Sequence, residues 1–90
     1  MKTRAHLIIK GHVQGVWFRA STKQQAERHG LVGWVKNTRD GAVEAVVEGE
    51  KQRVDDLIHW CHEGPPLSTV ETVHVEYQKF NNEFSSFDII

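Results

Sequence analysis

Apolar and polar residues alternate at the start of the chain. Between Thr3 and Lys10, the residues Ala5, Leu7 and Ile9 alternate with His6, Ile8 and Lys10, the two-residue period of a strand with one buried face. The next stretch, "ASTKQQAERHG" (20–30), is rich in good helix formers and ends in a glycine suited to a C-cap, so it predicts a helix with a thin apolar stripe. "LVGWVKNT" (31–38) and "AVEAVVEG" (42–49) then read as strands joined by "RDG". In the second of these, Val43, Ala45 and Val47 alternate with Glu44, Val46 and Glu48, and Asp40-Gly41 supplies the positive φ of a tight hairpin. From Glu50 to His62 the apolar residues Val54, Leu57, Ile58 and Cys61 recur at i, i+3, i+4 and i+7, which predicts an amphipathic helix stopped by Gly64, Pro65 and Pro66. "VETVHVEY" (70–77) alternates Val73, Val75 and Tyr77 against Thr72, His74 and Glu76, and "SSFDII" (85–90) predicts a short last strand with Phe87 and Ile89 on one side.

This order, β-α-β-β-α-β with a β tail, predicts an α+β fold on the ferredoxin-like, split βαβ plan: an antiparallel sheet with two helices on one face. The plan alone says little about function, because unrelated activities share it. The breakers "GPP" (64–66) and "NNE" (81–83) separate elements rather than domains. A chain of 90 residues, 39% of them hydrophobic, suffices for one core and leaves little length for another, so a single domain over 1–90 is expected. A net charge of −1, with both signs spread along the chain, gives no electrostatic argument for a nucleic-acid or membrane partner, and any anion site must be local. The single cysteine, Cys61, excludes an intrachain disulfide, and the apolar part of "MKTRAHLIIKGH" is too short for a secretory signal. No stretch approaches the roughly 20 apolar residues that span a bilayer. A cytoplasmic monomer is the expectation.

Chemistry concentrates in "GHVQGVWFRAS" (11–21), between the first strand and the first helix. In that context backbone N–H groups can converge on an anion, and the helix N-terminus adds partial positive charge. Gly15 would take a backbone conformation closed to other residues, and Arg19 carries a planar fork of donors that matches two oxygens of a phosphate or carboxylate. The competing reading is a plain turn with a solvated arginine. A Walker nucleotide loop is excluded, since Val16 and Trp17 follow Gly15 where lysine and a hydroxyl residue are required. A cysteinyl-phosphate mechanism is excluded as well, because the loop opens with His12 and Val13, while Cys61 lies on a helix's apolar stripe as a small core residue. Asp40, Asp55, Asp56 and Asp88 are scattered over turn, helix and tail, not clustered as a metal-dependent phosphatase needs.

Six histidines call for the same weighing. His59 and His62, with Asp55 one turn earlier, form either a surface metal site or, the preferred reading, a solvated helix face. His12 stands in the loop and could act as a general acid or a nucleophile. Asn37, a poor strand former near the end of "GWVKNT", is explained by local turn chemistry or by function.

Together the two loops resemble the acylphosphatase family. "GHVQGVWFR" matches Gly-x-Val-Gln-Gly-Val-x-Phe-Arg at every fixed position, and "GWVKNTRDGAV" with Gly49 is similar to the family's second motif. The resemblance covers essentially the whole chain. It implies that Arg19 binds phosphate, that the backbone of Gly15, Val16, Trp17, Phe18 and Arg19 forms the anion cradle, and that Asn37 positions water. It gives His12 no role. It also implies hydrolysis of acyl phosphates without metal or cofactor. The chemistry agrees: the leaving carboxylate has a conjugate-acid pKa of about 4, so no general acid is needed. A rival reading is a non-catalytic module sensing a phosphate or carboxylate metabolite. RNA binding through stacked bases fails, since "AVEAVVEG" offers no aromatic and two acidic residues.

Overall fold

A computed structural model describes all 90 residues. The alternating runs become β1 (Lys2–His12), β2 (Val32–Asn37), β3 (Val43–Glu50), β4 (Thr69–Gln78) and β5 (Phe87–Ile89), and the helical runs become α1 (Phe18–Arg28) and α2 (Lys51–Glu63). The strands form one sheet in the order β4-β1-β3-β2-β5. Register follows from the apolar alternation. In the antiparallel ladders Ala5 faces Val47, Leu7 faces Ala45 and Ile9 faces Val43, while Val35 faces Ala45, so these side chains rise on the same side. All are fully buried, and they join Phe18 and Ala26 of α1 and Val54, Leu57, Ile58 and Cys61 of α2 in one core beneath both helices. This is the ferredoxin-like arrangement of two helices against one sheet face.

The details depart from the periodicity in four places. β5 runs parallel to β2, with Gly33 opposite Phe87 and Val35 opposite Ile89, so the otherwise antiparallel sheet ends on a parallel edge. Phe87, 1% exposed, anchors that tail; burying such a side chain contributes about 1.5–3 kcal/mol. β1 runs on to His12 through a register shift between Lys10 and Gly11. α1 begins at Phe18, two residues before the good helix formers start. Within the regular β2–β3 ladder, by contrast, Gly33 lies against β3 so closely that a Cβ there would sit 1.9 Å from the carbonyl oxygen of Val46, which leaves no room for any other residue.

Glu48 is the fourth departure. Its place in the alternation puts it on the sheet face away from the helices, yet it is fully buried. The segment after β4 folds over it: Glu48 accepts the backbone N–H of Asn81 at 2.8 Å and of Glu83 at 3.0 Å, and Arg4 Nη1 at 3.3 Å. Burial by itself would raise the pKa of this carboxyl, but the two amides and the guanidinium outweigh it and hold the group below its ordinary value. Arg4 also binds Glu83 at 2.8 Å and packs 5.3 Å from the Phe84 ring. No helix is long and apolar enough to cross a membrane.

Candidate active site

Three side chains pin the loop that follows β1. Val13, Val16 and Phe18 are 1–5% exposed and point into the core, with Phe18 5.6 Å from Trp60 at a tilt of 52°. Burial of these three side chains leaves Gly15 and Trp17 between them exposed. Gly15 takes φ 76° and Trp17 φ 68°, both in the left-handed region, and Trp17 then serves as N-cap of α1 without any side-chain cap. A bulky aromatic at positive φ is strained and persists only where its surroundings impose it. The first backbone donor past the loop, Ser21 N–H, bonds Trp17 O at 2.9 Å; no N–H from Gly15 to Ala20 donates to a protein acceptor. These amides, with the helix dipole behind them, form a donor-lined concavity suited to an oxyanion.

Arg19 stands in the first turn of α1, exposed, with no salt bridge and no hydrogen bond to the protein. A cavity of about 330 Å³ opens here, lined by Val13, Gly15, Trp17, Phe18, Arg19, Ala20 and Ile89. Of the predicted cradle residues, Gly15, Trp17, Phe18 and Arg19 thus share one cavity. Val16 does not line it. Trp17, in contrast, is 74% exposed at the rim.

Asn37 is not on the cavity wall. It ends β2 opposite Val43, on the sheet face that carries the helices, and it is half-buried. Its Oδ1 is fully buried and accepts no hydrogen bond, the one such side-chain atom in the molecule. The adjoining hairpin is joined to the cradle by Gln14, whose Nε2 donates to Thr38 O at 2.8 Å and to Ala42 O at 2.9 Å. Thr38 braces the turn from within: its hydroxyl bonds Asp40 and accepts the Ala42 N–H at 3.0 Å, and the bond from Thr38 holds the Asp40 carboxyl below its ordinary pKa. Sequence reasoning assigned no role to Gln14, although it is a fixed position of the first motif; a bond across 24 residues of chain leaves no local signature.

The other candidates lie elsewhere. His12 is exposed at the end of β1, opposite Thr69, and does not line the cavity. His62 Nδ1 lies 3.0 Å from Ile58 O of its own helix, so one ring nitrogen is engaged there. Cys61 is fully buried, and burial pushes its thiol up to about 12, which suits a core residue.

The fold and the two loops have close counterparts among known proteins. The acylphosphatase family model matches residues 5–89. An acylphosphatase of Pelotomaculum thermopropionicum is 47% identical over 88 residues, covering 98% of this chain and 96% of that protein. The crystal structure of the Bacillus subtilis acylphosphatase superposes with a TM-score of 0.94 at 32% identity, covering 100% of this chain and 99% of that one. An acylphosphatase structure from Coxiella burnetii gives the same TM-score at 39% identity, over 99% and 93% of the two chains. The matches span nearly the whole chain, and the chain belongs to the acylphosphatase family of hydrolases.

Proposed function

We propose that the chain, acting as one domain, hydrolyses acyl phosphates to a carboxylate and inorganic phosphate by attack of water on the phosphorus, with no metal or cofactor. The observation that carries this reading is the outward-turned cradle, whose free amides stand beside an arginine that no carboxylate engages. The amides of Gly15, Val16, Trp17, Phe18 and Arg19 bind the phosphoryl oxygens, and the Arg19 fork neutralises two of them. In a loose phosphoryl-transfer transition state, positioning and electrostatic stabilisation are most of what a protein has to supply.

Asn37 positions the nucleophile. An amide cannot take a proton at neutral pH, but the Asn37 side chain can accept one O–H of the attacking water and fix its line of approach. The water's second proton passes to a phosphoryl oxygen of the substrate as the P–O bond to water forms. The carboxylate leaves with the electron pair of the broken P–O bond and needs no acid. Gln14 keeps the distance between cradle and hairpin, and with it the alignment of water and phosphorus.

Incubation of the protein with benzoyl phosphate in excess EDTA tests this. Sustained release of phosphate at many turnovers per molecule is expected. Binding without turnover would favour a metabolite sensor, and turnover restored only by added metal would overturn the mechanism.

A further inference from the structure

The end of the molecule opposite the cradle carries a second cavity, of about 600 Å³. Its walls come from the start of β1 (Lys2), the end of α1 (Arg28, His29), the first turns of α2 (Arg53) and the segment after β4 (Phe80, Phe84). β1 spans 11 residues, so at about 3.3 Å per residue its two ends lie roughly 30 Å apart. The cradle follows one end and this cavity adjoins the other.

Charges lining the cleft are unequally engaged. Its three carboxylates are each held by a cation outside the wall: Glu27 by Lys23 at 3.0 Å, Glu50 by the N-terminal ammonium at 3.1 Å, and Glu48 by Arg4 together with two backbone amides. The three cations have no carboxylate partner. Arg28 makes no side-chain bond, Arg53 reaches only the His29 carbonyl at 3.5 Å, and Lys2 lies 5.5 Å over the Phe80 ring. The cation–π contact holds the Lys2 ammonium toward the cleft. The wall bearing Phe80 and Phe84 is itself fixed, because buried Glu48 binds the amides of Asn81 and Glu83 between them. Two guanidinium forks and an ammonium, converging from three elements on one concave wall, suit a ligand with several oxyanion groups better than a single phosphate.

We infer that this cleft binds a small multivalent oxyanion, such as a polyphosphate or polycarboxylate, through Lys2, Arg28 and Arg53. The inference does not depend on the catalytic reading. Long-range attraction between exposed charges makes the affinity salt-dependent.

Amide chemical-shift titration of the full chain tests it, using sodium tripolyphosphate in one arm and citrate in another, both in low salt and with inorganic phosphate present to fill the cradle. Shifts are expected around Arg28 to Gly30, Gly49 and Arg53, saturating separately from those of Gly15 to Ala20. Response to both anions identifies oxyanions generally, and response to tripolyphosphate alone identifies phosphoryl groups. The double variant Arg28→Glu, Arg53→Glu should weaken the cleft response at least tenfold while benzoyl phosphate turnover stays at the wild-type level; Lys2→Glu, a single exposed change, should weaken it several-fold. If both anions move only cradle amides, or the cleft response survives charge reversal, the inference is wrong.

Discussion

In the proposed mechanism Arg19 and Asn37 divide the work between holding the anion and guiding the water, and the division has measurable consequences. Arg19→Ala removes the only side-chain cation of the cradle, so both competitive phosphate binding and turnover should be lost, the latter by at least about 100-fold. Arg19→Lys keeps the charge but not the fork, and a similarly severe loss of kcat is expected. In Asn37→Ala the cradle is untouched: phosphate inhibition should stay within about twofold of wild type while kcat falls about 100-fold or more. Full activity in Asn37→Ala would remove the role assigned to it. The motif positions of both residues were visible in the sequence, because short runs of fixed residues carry them. Trp17 was not legible in the same way. Nothing in its identity signals a left-handed conformation, which arises because Val16 and Phe18 on either side are both drawn into the core.

Among the elements, the contact that matters most for the site is the one between the cradle and the β2–β3 hairpin. Gln14 alone supplies side-chain hydrogen bonds between them. Gln14→Ala should cost about 1–2 kcal/mol of stability, read as a lower midpoint in urea, and should lower kcat about tenfold or more with phosphate affinity little changed. Loss of stability with unchanged kcat would show that hairpin and cradle hold their spacing without it. The strands and helices themselves were largely readable from periods of two and 3.6, since Ala5, Leu7 and Ile9 or Val54, Leu57, Ile58 and Cys61 can satisfy burial in only one way. The start of α1 was not, because Phe18, only a middling helix former, is placed in its first turn by its packing against Trp60. The parallel seating of β5 was equally hidden, as three residues carry no signal for the direction of their partner.

For the molecule as a whole, stability has an acidic limit set in part by Glu48. The alternation of β3 marks it as a solvated residue, and only the return of the chain after β4, 33 and 35 residues later, buries it. Its pKa is depressed in the folded protein, so its contribution is complete above the ordinary glutamate value near 4.5 and is lost as pH falls through the depressed folded value. Glu48→Gln should therefore lower stability at neutral pH by about 3 kcal/mol and flatten the acid limb of a plot of melting temperature against pH; an unchanged acid limb would place the sensitivity elsewhere. Stability and catalysis are separable in this account, since Glu48 and the cradle sit toward opposite ends of the sheet. Its central claim concerns the cradle: a site without a nucleophile of its own directs water to phosphorus. Hydrolysis of benzoyl phosphate in ¹⁸O-enriched water with EDTA tests that directly. The account predicts one ¹⁸O in each phosphate released and none in benzoate, whereas label in benzoate would mean attack at the acyl carbon and would contradict it.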